Sequence, residues 1–130
     1  MRIPTLPKIS FVLATCTLAT FAPTLSVAHA DVEKGEKLFK LQCAVCHYVE
    51  PAKTKMGPSL FGIVGSKSAS SEGFRYSPAM KEAGLTWDAQ TLDEFLASPR
   101  KAVPRTSMAF VGQKSEEKRA DLIAYLETLK

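Results

Sequence analysis

Cysteine, histidine and tryptophan are scarce in this 130-residue chain, at three, two and one. Three cysteines allow one disulfide at most, which excludes a cross-linked scaffold. The formal charge is only +4, too little for a nucleic-acid binder. No stretch carries a strand signal of any weight, and no repeat is present. The length indicates one domain.

Residues 9–28 carry no charge, follow the basic residues Arg2 and Lys8 and run into Ala28-His29-Ala30. A basic start, an apolar centre and small residues at its end read as a secretory signal, residues 1–30, cleaved before Asp31. Two other readings keep the segment. Twenty uncharged residues can span a bilayer as an anchor, although Pro23 and many Thr, Ser and Ala weaken it. Leu13-Ala14-Thr15-Cys16 faintly resembles a lipoprotein box. Cleavage would leave a domain over residues 31–130 with fifteen basic residues against thirteen acids. Cys16 and His29 would leave with the signal. Cys43, Cys46 and His47 would then be the only cysteines and histidine, too few for a structural zinc site. A second histidine ligand for any metal would also be missing.

Those three residues fall together, as Cys43-Ala44-Val45-Cys46-His47. C-x-x-C-H is the attachment signal of c-type haem. Two thiols can add to the two haem vinyl groups, and on a helix i, i+3 and i+4 share a face. The imidazole then lies where a proximal iron ligand belongs. The rivals are a thioredoxin-like pair, which needs a preceding strand, and half a zinc site. Haem without a second histidine still needs a sixth ligand. A thioether from Met56, Met80 or Met108 is available.

The remaining chain reads as helices joined by long loops. Residues 31–44 form a first helix with acids at its start and Leu38 and Phe39 on one stripe. Gly35 is costly there unless another helix comes close. Residues 48–71 read as loop, broken by Pro51, Gly57, Pro58, Gly62 and Gly65. Pro58 is either a turn proline or an acceptor for the His47 ring. Ser77-Pro78 opens a short helix stopped by Gly84. A further helix begins near Asp88 and ends at Ser98-Pro99. Residues 100–113 show no helical period. Residues 115–130 form the last helix, with Leu122, Leu126 and Leu129 on one face, and Gly35 is its natural contact. Trp87 reads as core.

Together these motifs closely resemble class I cytochromes c, of the mitochondrial and bacterial c2 type. The resemblance covers residues 31–130. It rests on the attachment motif, Gly57-Pro58-Ser59-Leu60, Gly73-Phe74-Arg75-Tyr76-Ser77, Gly84-Leu85-Thr86-Trp87, Met108-Ala109-Phe110 and Asp121-Leu122-Ile123-Ala124-Tyr125-Leu126. It implies an all-α fold with crossing terminal helices, Gly35 and Phe39 meeting Leu122 and Tyr125, and one covalent haem. Cys43 and Cys46 would carry the thioethers, His47 would be the proximal ligand and Met108 the distal one. Pro58 would accept from His47, Tyr76 and Trp87 would serve a propionate, Thr106 would steady the Met108 loop, and Phe110 would cover the haem. Four positions depart from the family pattern: Ser66 for arginine, Phe95 for tyrosine, Met80 for asparagine and Arg105 for glycine.

The implied role is a soluble, monomeric periplasmic electron carrier, not an enzyme. Its redox partners would dock on a basic haem-edge surface of Lys53, Lys55, Arg75, Arg100, Lys101 and Lys114. A peroxidase or a gas sensor would instead need an open iron.

Overall fold

The computed structural model describes residues 29–130; residues 1–28, with nearly all of the expected signal, lie outside the described residues. Five helices follow in order: α1 Val32–Gln42, α2 Pro78–Glu82, α3 Ala89–Ala97, α4 Pro99–Ala102 and α5 Glu116–Glu127. The fold is all-α, as the sequence indicates. Among the described residues the extended contacts reduce to one isolated bridge, Lys67 to Thr86.

Local chemistry sets the helix starts. Asp31 caps α1, its carboxylate accepting the Lys34 N–H at 3.1 Å. Ser77, Asp88 and Ser115 do the same for α2, α3 and α5, each filling a donor that a first turn leaves unpaired. Two helices are shorter than the sequence suggests. Helix α1 stops at Gln42 rather than near Ala44, because the N–H groups of Cys43 and Ala44 both turn to the Phe39 carbonyl, at 2.8 and 2.9 Å. Helix α5 stops at Glu127, where the Thr128 hydroxyl and N–H both bind the Tyr125 carbonyl. Helix α4 was not expected from the pattern of residues 100–113. Pro99 at its first position supplies a pre-set φ and lacks the N–H that a first turn cannot satisfy.

Helices α1 and α5 make the largest helix–helix contact. Gly35 is the reason they can. A Cβ there would run into the backbone carbonyl oxygen of Asp121 and come within 2.8 Å of the Tyr125 Cβ. Phe39 packs its ring on Tyr125 at 5.4 Å between centroids, and Leu122 is 1% exposed. Gly35 thus meets Asp121 and Tyr125, at the crossing where Phe39 packs on Tyr125 and Leu122 is buried. The core joins Phe39, Leu122, Ile123 and Leu126 to Leu92, Phe95 and Leu96 of α3, with Trp87 and Val103.

The long loop before α2 lacks helix but not hydrogen bonds. It pairs with the segment entering α3: Gly65 N–H to the Trp87 carbonyl, Trp87 N–H to Ser66, and Ser68 N–H to Leu85, each at 2.9 Å. The Gly62 N–H binds the Leu129 carbonyl at 2.6 Å and ties the loop to the chain end. The loop is thereby held as one wall of a cavity.

Candidate functional site

That cavity has a volume of about 530 Å³, within the range of small-molecule and cofactor sites. Cys43, Cys46 and His47 line it. They follow α1 in a single turn whose geometry is not a regular helix. The Cys46 and His47 N–H groups both bind the Cys43 carbonyl at 2.9 Å. That shared acceptor preserves the i, i+3, i+4 relation after the helix itself has ended. Neither cysteine is tied up in a disulfide. Before attachment, burial, with a smaller contribution from Cys46, pushes the Cys43 thiol up to about 11, so the unattached thiol is protonated at neutral pH.

The imidazole of His47 is fixed on two sides. Its Nδ1 donates to the Pro58 carbonyl at 2.8 Å, which fixes the tautomer and leaves the Nε2 lone pair for a ligand. Burial lowers the His47 pKa, against a smaller upward effect of the Pro58 hydrogen bond, so the ring is held neutral. Gly57 is the second constraint. A Cβ at this position would lie 2.7 Å from Nδ1 and 2.8 Å from Nε2, so only glycine lets the chain pass the ring.

Tyr76, Trp87, Thr106, Met108 and Phe110 line the same cavity. Residues 43 to 110 therefore converge on one site, although no helix links its two ends. The Thr106 hydroxyl accepts the Met108 N–H at 3.3 Å, a local brace on the Met108 loop. Trp87 is buried with its ring edge against Phe95, 4.9 Å between centroids. All three candidate methionines touch the cavity. Met56 is 74% exposed, and Met80 is carried on α2. Met108 alone combines an irregular loop with partial burial.

The departures from the family pattern have local consequences. Arg105 adopts φ +67°, a left-handed conformation that costs a side-chain-bearing residue. Ser66 uses its hydroxyl on the Ile63 carbonyl at 2.8 Å, so it brings no charge. Met80 and Phe95 fill the cavity wall with apolar atoms.

Several contributors escaped the sequence reading. Leu60, Ile63 and Phe74 line the cavity; Leu60 and Phe74 stand in the motifs with no place at the site assigned to them, and for Ile63 only its apolar character hinted at it. Arg119 of α5 grips Asp93 of α3 through Nε and Nη2 at 2.6 and 3.1 Å. Its Nη1 also donates to the Gln113 and Lys114 carbonyls, at 3.1 and 3.2 Å, which anchors the segment after Phe110. No pattern of spacing announces a contact across 26 residues. Of the six basic residues, Lys55 donates to the Ala44 carbonyl at 2.7 Å and lies 4.2 Å from the Tyr48 ring centroid. Lys53 approaches the same ring at 5.9 Å. Both therefore flank the cysteine-bearing turn. Arg75, Arg100, Lys101 and Lys114 are exposed on three other segments.

The family model for cytochrome c matches residues 32–130. The chain belongs to the cytochrome c family. Cytochrome c2 of Rhodomicrobium vannielii is 53% identical over 102 residues, 78% of this chain and 81% of that protein. Cytochrome c type-1 of Ascaris suum is 46% identical over 78% of this chain and 90% of its own length. Among solved structures, cytochrome cH from Methylobacterium extorquens superposes with a TM-score of 0.71 at 43% identity, covering 75% of this chain and 98% of that one.

Cytochromes c carry a covalently bound haem c, and so does this chain. The residues present fit the group: two cysteines outside any disulfide and a neutral imidazole on one turn, at the wall of a large apolar cavity. When bound, the haem supplies a one-electron iron couple. Members of the family are electron carriers rather than enzymes, and as a member this chain is a haem c electron carrier. Among the described residues no helix is long and apolar enough to cross a membrane.

Proposed function

We propose that His47 and Met108 are the two axial iron ligands, that Cys43 and Cys46 form the thioethers, and that the protein is a soluble periplasmic shuttle. The observation that carries this reading is the setting of His47. Its Nδ1 is engaged by Pro58 while Nε2 is left free, and Met108 on a braced loop lines the same cavity. With His47 and Met108 both holding the iron, no substrate would reach it, and the chemistry the haem would supply is outer-sphere electron transfer. A soft thioether also favours the reduced metal and raises the potential.

The residues have separable tasks. Pro58 holds the imidazole plane and raises its basicity. Tyr76 and Trp87 offer an O–H and an indole N–H to a propionate, and Phe110 screens the cavity from water. The small apolar wall keeps reorganisation low, because few dipoles turn when the charge changes. Lys53, Lys55, Arg75, Arg100, Lys101 and Lys114 steer an acidic respiratory or photosynthetic partner into a brief, salt-sensitive encounter. Export by the residue 1–30 signal would deliver the chain to the periplasm.

The test is the absorption spectrum of the purified holoprotein, oxidised and reduced, followed into the red where a sulfur-to-ferric-iron band is expected. The band should be present and should vanish in Met108→Ala, with Met80→Ala leaving it intact. A high-spin ferric spectrum without the band would sink the His/Met assignment and favour an open iron.

A further inference from the structure

Asp121 is a carboxylate with 3% of its surface exposed. Its Oδ1 accepts the backbone N–H of Asp31 at 2.7 Å. Among the described residues no lysine, arginine or histidine nitrogen pairs with it; the ion pairs present use Asp31, Glu36, Glu50, Asp93 and Glu117. A buried carboxylate facing one neutral donor is short of compensating charge. The donor, however, is no ordinary amide. Asp31 directly follows Ala28-His29-Ala30 and caps α1, while Ala30 itself is exposed.

We propose that hydrolysis of the Ala30–Asp31 bond creates the cation that Asp121 lacks. Water adds its hydroxyl to the Ala30 carbonyl carbon, the C–N bond breaks, and the Asp31 nitrogen takes the other hydrogen. The proton released by the new Ala30 carboxyl ends on the same nitrogen, giving an ammonium; no electrons are exchanged. A signal peptidase of the class that reads small residues catalyses it. The amide hydrogen bond becomes an ammonium–carboxylate pair in the same place. Processing thereby locks the start of α1 onto α5, beside the Gly35 crossing that carries the cysteine turn.

The neighbouring charges leave room for this cation. Lys34 stands between the Asp31 and Glu117 carboxylates, 3.9 Å from each. The Tyr125 phenol of α5, whose Cβ is near Gly35, has Glu36 and Lys40 as its charged neighbours. The sign of the pH dependence follows. The carboxylate raises the folded α-amine above its unfolded value of about 7.7–8.0. The stabilisation is complete below that value and is lost as pH rises through the higher folded one. This inference needs neither the axial ligands nor the redox role; it shares only export with the reading above.

The experiment uses exported holoprotein and three variants: Gly-Ser inserted between Ala30 and Asp31 so that processing after Ala30 leaves Asp31 amidated, Asp121→Asn, and both together. Intact mass should give a chain starting at Asp31. At about pH 6 the insertion and Asp121→Asn should each lower the folding constant about tenfold, the scale of a charge-assisted hydrogen bond. The double variant should be little worse than either. At about pH 10 the cost of the insertion should disappear. The insertion alters no side chain, so its pH profile stands even if Asp121→Asn fails to fold. Cleavage at another bond, additive losses, or an insertion cost that persists at the higher pH would each overturn the proposal. An unprocessed chain would overturn the export reading as well.

Discussion

Pro58 presents its carbonyl oxygen 2.8 Å from Nδ1 of His47, and Gly57, the residue before it, leaves no room for a Cβ beside the same ring. One dipeptide therefore both orients the imidazole and limits how close the loop can come. Gly57→Ala should displace the ring, lower stability by about 1–3 kcal/mol and alter the ferric haem spectrum. Pro58→Ala keeps the acceptor, so the spectrum should hold while stability falls by less than about 1 kcal/mol. Equal spectral damage in both variants would mean that the carbonyl is not what orients the ring.

Gly35→Ala sets helix propensity against packing. Alanine is favoured over glycine within a helix by about 1 kcal/mol, yet its Cβ would meet the Asp121 backbone, which cannot rotate away. Overpacking of this kind costs about 1–3 kcal/mol or more. A net loss of about 2 kcal/mol is expected, read as a lower denaturant midpoint at unchanged m. A gain would mean that α1 and α5 are further apart than the structure places them.

Arg105→Gly should be stabilising. The left-handed conformation at φ +67° costs an L-residue about 1–2 kcal/mol, and the added chain entropy of glycine returns about 0.5–1 kcal/mol of that. A rise of about 0.5–1 kcal/mol is expected by equilibrium unfolding. A loss would show that the arginine side chain makes a compensating contact.

Arg119→Lys removes the planar fork that holds Asp93 and both loop carbonyls. With the arginine largely buried and Asp93 partly exposed, the loss should be about 1 kcal/mol. A more specific readout is amide exchange at Gln113, whose N–H binds the Leu96 carbonyl at 2.8 Å. It should accelerate more than amides in α1. Uniform acceleration would assign Arg119 to global stability alone.

Phe95 stands at the cavity wall with Met108 and brings no hydroxyl. If Met108 is a ligand as proposed, its bond to iron would depend on packing. Phe95→Tyr should shift the reduction potential and make the methionine harder to displace at alkaline pH. Unchanged values for both would refute that dependence.

How far the fold could be read in advance differs by element. The starts of α2, α3 and α5 were visible because Ser77, Asp88 and Ser115 act on their own next turn. The stop of α1 was not, because it depends on how two amides share the Phe39 carbonyl. Helix α4 was hidden because four residues show no period. At the site, all nine residues named from the sequence line the one cavity. The apolar wall of Leu60, Ile63 and Phe74 and the Arg119 clamp were absent from that reading.

By itself the sequence determined the attachment chemistry, the helical class and the glycine at the crossing. Those are matters of residue type at short spacing, where covalent geometry and hydrogen-bond reach leave few alternatives. Only the tertiary structure decided how Arg119 pins the segment after Phe110, and that the nitrogen of Asp31 faces a buried carboxylate 90 residues away. These contacts join distant segments, and no local preference encodes them. They exist because α1 and α5 close on each other and bring the loops between them around one cavity.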